Sequence, residues 1–271
     1  MIDAAQQAAQ RFNQSAGVIT QVENNADSQT ASTVQTINGY LKQIAALNQQ
    51  YAADFHASED AGLDAQMHAA LENLSTLVNF STIQSGNGQV NVYLNGETPL
   101  VVGSNEYALS ADFSSPQTAI LDSQGNNVAS EITGGKLGGL LSEKNTTLPG
   151  YMETLNTLPK TFADQVNNQL AQGLDESGNP PSINLFTYNQ ASDAAATIAV
   201  TGIAPDQIAA AGLGAPGGGG NAVAVSQMAT APLVNGLTFT QSFAVLGTQV
   251  GQDVAQATRD QSTYQDLLTQ V

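Results

Sequence analysis

The chain has 271 residues, 41% of them hydrophobic but only 6% aromatic, with no Trp and no Cys. That length buries a proper core, the small-residue mixture suits packed helices, and the absence of Cys removes disulfides, thiolate catalysis and Cys-zinc sites together. Six basic residues against 23 acidic ones leave a net charge of −17, which repels phosphate backbones and anionic lipid surfaces alike and excludes nucleic acid and membrane as partners.

The first 55 residues read as one long helix. Apolar or small residues step by three and four through Ile2, Ala5, Ala9, Phe12, Ala16 and Ile19, and again through Val34, Ile37, Leu41, Ile44 and Tyr51, with polar Asn48 in the series. This spacing makes a narrow seam for packing along the helix length, over about 75 Å at ~1.5 Å per residue. The seam is weakest over residues 26–33, where a break or bend is expected. Asn48 in the seam is expected to fix helix register.

Between residues 78 and 133 the period changes to two. VNVYLNG puts Val90, Val92 and Leu94 on one face between SGNGQ and NGETP, and YALSADF and TAILDSQGNNVASEIT add strands around a DSQGNN turn. A small antiparallel β domain is expected there, inserted between a helical trunk of residues 1–77 and its continuation in residues 134–271.

The stretch GGKLGGLLSEKNTTLPGYMETL follows, with glycines at its head and Pro-Gly in its middle. As a phosphate cradle it fails, because no Ser or Thr follows the lysine and the G-x-G-x-x-G spacing is absent. As a helix it keeps one seam through Leu137, Leu141, Leu148, Met152, Leu155, Phe162 and Val166. Gly134 and Gly135 are then a hinge out of the last strand, Gly138 and Gly139 admit a neighbouring helix, and a kink or restart is expected near Leu158, before Pro159. Residues 175–221 read as turns, two short strands in INLFTYNQASDAAATIAV and a Gly-rich loop, with Asn221 as the cap of a short helix. The last helix carries Val250, Val254, Ala257, Gln261, Tyr264 and Leu268 at the same steps, after a TFTQ capping box at residues 238–241. The fold class is therefore α+β, an elongated bundle of long helices with an inserted β domain.

Chemistry finds little foothold. His56 sits among Asp54, Glu59 and Asp60, but ligand spacing and a third strong ligand are lacking, so a solvated acidic loop is the reading and no metal site is assigned. DSQGNN and DESGN lack the full calcium-loop pattern, and no G-x-S-x-G elbow occurs. No catalytic, cofactor or metal residue is assigned, and the chain is read as a non-enzyme. The residues singled out are structural: Val34, Ile37, Leu41, Ile44, Leu141, Leu148, Met152, Leu155, Val250, Val254, Ala257 and Leu268 as seam, Gly134 and Gly135 as hinge.

ITGGKLGGLLSEKNTTLPGYMETLNTLPKTFADQVNNQLAQGLDESGNP resembles the central region of the bacterial flagellar hook-associated protein 1 family, the first hook–filament junction proteins. VQTINGYLKQIAALNQQ, the long block DAQMHAALENLSTLVNFSTIQSGNGQVNVYLNGETPLVVG, PDQIAAA, GNAVAVSQM and VGQDVAQATRDQSTYQDLLTQV agree in the family's order. The resemblance implies a structural, secreted part of the flagellum that joins hook to filament by self-assembly. It also implies export through the flagellum's own secretion apparatus without a cleaved signal peptide. Implied partners are copies of itself, the hook protein and the second hook–filament junction protein. The family's asparagine-rich amino-terminal motif is absent, so the chain is expected to be a core fragment lacking both terminal segments, monomeric by itself. The contrasting reading is a secreted binding module or adhesin whose β domain contacts a host or glycan ligand; few aromatic residues are present to stack on sugars.

Overall fold

The computed structural model describes residues 1–54 and 59–270, the last eight by backbone alone. His56 and its acidic-loop reading lie outside the described residues. The chain is α+β and divides into two compact units, one of Met1–Thr20 with Gly150–Val271 and one of Gln21–Pro149.

Helix α1 runs Ile2–Ala53 without the expected break. In the weak stretch the stripe continues in small residues, since Ala26, Thr30 and Thr33 are all buried. Two hydroxyls there turn back on the helix, Ser28 onto the Asn24 carbonyl and Ser32 onto that of Gln29, so the backbone ladder survives its polar side chains.

In the unit Gln21–Pro149, Asp60 caps α2 (Ala61–Leu77) by accepting from the Gly62 and Leu63 amides. A four-stranded meander follows in the order β1 (Ser81–Gln84), β2 (Val90–Leu94), β3 (Thr98–Val102) and β4 (Asn105–Glu106). The β2–β3 turn has Asn95 and Gly96 both at positive φ, 48° and 80°, the combination that Asn-Gly tolerates best. Val90, Val92 and Leu94 are buried and their neighbours half-buried, so the period-two reading locates this face. A separate ladder pairs β5 (Ser110–Asp112) with β6 (Ala119–Leu121). After it the DSQGNN turn forms as read, with the Asp122 carboxylate accepting from the amides of Gln124 and Asn126. The strand expected beyond that turn is reduced to one bridge, Leu121 to Asn127, and a 3-10 turn at Ala129–Glu131. Ile37, Leu41 and Ile44 of α1 share a core with Leu74, Val92, Leu94 and Leu100.

Asn48 is fully buried, and its side-chain hydrogen bonds go to the sheet rather than to another helix. Its amide nitrogen donates to the carbonyls of Val90 and Gly103, and its oxygen accepts from the Val90 amide. The register it fixes is that of the sheet on α1, a correction to the helix–helix role.

The glycine-led helix is also more divided than its spacing implies. Helix α3 (Gly135–Ser142) passes through one π turn at Glu143–Thr147 into α4 (Leu148–Leu170). Pro149 explains the wide turn: it has no N–H to give, and its ring would clash with the carbonyl four residues back in a regular helix. No restart follows near Leu158, because α4 continues with Pro159 inside it.

In the unit Met1–Thr20 with Gly150–Val271, Val166, Leu170, Leu185, Phe186 and Ile198 form a second core with Ala5 and Ala9. The short strands β7 (Phe186–Thr187) and β8 (Ala199–Val200) pair antiparallel, and α5 (Ala194–Thr197) lies between them in sequence. Asn221 does not cap α6 (Gly220–Gln227); the cap position is Gly219, and Asn221 is buried, donating to the Ala209 carbonyl at 2.6 Å. Helix α7 (Phe239–Gln270) starts with the capping box as read, Thr238 and Gln241 exchanging backbone and side-chain bonds.

Candidate assembly surface

The seam residues fall into three settings. Val34, Ile37, Leu41 and Ile44 of α1 meet Leu141 of α3 in the core of the Gln21–Pro149 unit, and Leu148 is buried at 4% exposure. Leu155 is buried in the other unit with Ala16, Ala195 and Leu246, and half-buried Met152 packs against that cluster. The third set faces solvent: Val250 is 37% exposed, Val254 61%, and Ala257 is exposed too. Leu268 lies where side chains are not described.

The exposed part of α7 is thus an apolar stripe on a polar helix. Beside its first turns, Phe12, Val18, Leu158, Phe239 and Phe243 line a groove of about 620 Å³ together with Arg11. Val18 and Phe243 are 61% and 49% exposed. Exposed apolar side chains beside a groove make this face a candidate interaction surface. Val18 and Phe243 did not stand out by spacing, because each lies beside rather than on its helix's seam.

The glycine pair is held by geometry rather than left free. Gly135 has φ of +67°, and a Cβ there would come within 2.4 Å of the Leu77 carbonyl carbon and the Val78 nitrogen. The Asn79 side-chain oxygen accepts from the amides of Thr133 and Gly134. So the chain passes tightly over the end of α2 here. Gly138 lies against the preceding Thr133 backbone, and Gly139 is open; neither admits a neighbouring helix, contrary to the expectation.

Three polar groupings escaped sequence reasoning because each joins residues from separate parts of the sequence. Lys144, in the π turn, donates to Asp27 of α1 at 2.9 Å, and the Thr118 hydroxyl donates to the other oxygen of the same carboxylate. Tyr151 of α4 donates to Asp253 of α7 at 2.5 Å, and this bond with a second from Gln249 holds the Asp253 carboxyl below its ordinary value. In α4, Asp164 accepts from both Lys160 and the Tyr188 hydroxyl. That carboxylate raises Lys160, while burial is the first cause of the rise at Tyr188. Among the described residues, no group of three or more His, Asp or Glu could hold a metal ion, and no helix is long and apolar enough to cross a membrane. His68 is exposed beside Asp64 at 3.7 Å.

A 52-residue helix, a second helix with an uncovered apolar stripe and a small sheet seated by α1 together define an α+β scaffold module. The family model of the flagellar hook-associated protein FlgK helical domain matches residues 1–186. Flagellar hook-associated protein 1 of Salmonella typhimurium is 32% identical over 160 residues, 55% of this chain and 29% of its own length. Its Escherichia coli K12 counterpart is 30% identical over 159 residues, 54% of this chain and again 29% of its own. The chain therefore spans less than a third of the curated relatives it matches. Among solved structures, the flagellar hook junction protein FlgK from Burkholderia pseudomallei superposes with a TM-score of 0.63 at 34% identity, over 69% of this chain and 36% of that one. The chain belongs to the flagellar hook-associated protein 1 family.

Proposed function

We propose that the chain is a structural, non-catalytic part of the bacterial flagellum that joins hook to filament by helix packing between subunits. Residues 1–77 and 134–271 serve as its trunk and residues 78–133 as the β part. Its partners are further copies of itself, the hook protein and the second hook–filament junction protein, and its place is outside the cell after export by the flagellar apparatus. The observation that carries this reading is the exposed stripe of α7, Val250 with Val254, in a member of this family. An apolar stripe that finds no cover within its own chain gains by burial against a neighbour, about 25 cal/mol per Å² of apolar surface.

None of the 271 residues is cysteine, so a thiol placed among them is the only one this stretch carries, and the complete protein without the substitution serves as the labelling control. A complete flagellar protein carrying Val254→Cys is exported and assembled, then treated with maleimide before and after assembly. The expected outcome is fast labelling of the free subunit, protection in the assembled junction, and oxidative crosslinks to a neighbouring subunit. Equal labelling in both states, with motility intact, sinks the reading.

A further inference from the structure

Asparagine side chains recur at several places where a non-helical segment rests on a helix. In four places one carboxamide both donates to and accepts from a single backbone residue. Asn38 of α1 donates to the Leu109 carbonyl at 2.8 Å and accepts from the Leu109 amide at 2.9 Å. Asn145 in the π turn does the same to Thr118, at 2.9 and 2.8 Å. Asn167 of α4 does so to Phe186, at 2.9 and 3.0 Å. Asn48 repeats the pattern on Val90 and adds the Gly103 carbonyl. Asn156 of α4 spreads it over α5 and its approach, accepting from the Ala195 amide and donating to the Ser192 carbonyl.

The chemistry explains why asparagine is used. A carboxamide carries an N–H donor and a C=O acceptor as a peptide group does, so it can pair with one residue as an adjacent strand would. A helix offers its own peptide groups to no one, since they are taken within the ladder. An asparagine on the helix surface supplies the missing strand neighbour, and a buried amide such as that of Leu109 or Phe186 thereby has its partner. The clamped residues stand at the starts of β2 and β7 and immediately before β5 and β6. With few aromatic residues and no disulfide, apolar contacts alone set the placement of such short strands weakly.

We propose that these asparagines are positioning residues that fix where each short strand docks on the helices, one clamp per segment and each acting locally. Local action separates this role from a general contribution to stability. Amide-exchange protection of Leu109, Thr118 and Phe186 is measured by NMR in Asn38→Ala, Asn145→Ala and Asn167→Ala, with exposed Asn24→Ala as control. Each clamp variant is expected to lower protection roughly ten- to a hundredfold at its own partner and to leave the other two within about threefold. The control is expected to change none of them. Equal losses at all three residues in every variant, or full protection retained at the variant's own partner, overturns the proposal. Should an alanine variant not fold, Asn145→Gln at its half-buried position serves instead. Its carboxamide is carried one methylene too far, so Thr118 alone is expected to lose protection, and unchanged protection there is again decisive.

Discussion

Gly135 and Gly139 differ by four positions and by everything that matters to a side chain. Alanine at 135 would have to adopt a φ of +67° with its Cβ against the Leu77 and Val78 backbone, and backbone does not give way as a flexible side chain can. Gly135→Ala is expected to cost about 3 kcal/mol or more. Gly139 is exposed in α3 with nothing within 4 Å of its added Cβ, so Gly139→Ala is expected to stabilise by about 0.5–1 kcal/mol through helix propensity. Urea midpoints at constant slope measure both, and equal effects of one sign contradict the hinge geometry. Asp253 offers a residue-scale test in pH. Its folded value is lowered, first by the Tyr151 hydroxyl, so the bond contributes above the ordinary value of 3.8 and is lost as pH falls below it through the folded value. In a carboxyl-carbon NMR titration, Tyr151→Phe is expected to move the Asp253 midpoint upward toward 3.8. An unmoved midpoint shows that the hydroxyl is not the cause.

At the scale of elements, periodicity reports what a segment buries but not how its backbone closes. The α1 seam and the alternating face of β2 were legible because Ile37, Leu41, Val92 and Leu94 are apolar at positions fixed by a 3.6 or a two-residue repeat. The π turn was not, since one extra residue per turn barely disturbs a seam whose leucines sit either side of it. Its consequence is electrostatic. The turn carries Lys144, 12% exposed, which meets Asp27, 24% exposed, 117 positions earlier in sequence, and no local pattern encodes a pair so separated. Removing one partner strands the other charge beside Thr118. Lys144→Ala is expected to destabilise by about 1–3 kcal/mol. With Asp27→Asn it is expected to show a coupling of about 1 kcal/mol or more in a double-mutant cycle. A coupling near zero identifies the pair as a surface contact of little weight. The exposed stripe of α7 shows the opposite limit. Val250 and Val254 carry the same spacing as the buried seam of α1, so spacing found the stripe but could not say whether it is covered within the chain or by a neighbour.

For the whole molecule, charge opposes both folding and association. Twenty-three acidic and six basic residues leave −17, and two of the lysines are already committed, Lys144 to Asp27 and Lys160 to Asp164. Each of the two compact units must hold its core against this self-repulsion, and a second copy approaching the α7 stripe meets the same field. Screening acts over a Debye length of about 30 Å at 0.01 M salt and about 3 Å at 1 M. Sodium chloride should therefore relieve long-range repulsion while leaving the Asp27–Lys144 contact, at 2.9 Å and half-buried, largely intact. The urea midpoint is expected to rise between about 0.01 and 0.5 M salt. Any self-association seen by sedimentation is expected to strengthen over the same range, where a contact made by opposite charges would weaken. Val254→Asp places one more negative charge on the stripe and separates the two effects: the stability gain with salt is expected to persist while association is lost. Association that falls as salt rises, or that survives Val254→Asp unchanged, shows that the subunits meet through some face other than the α7 stripe.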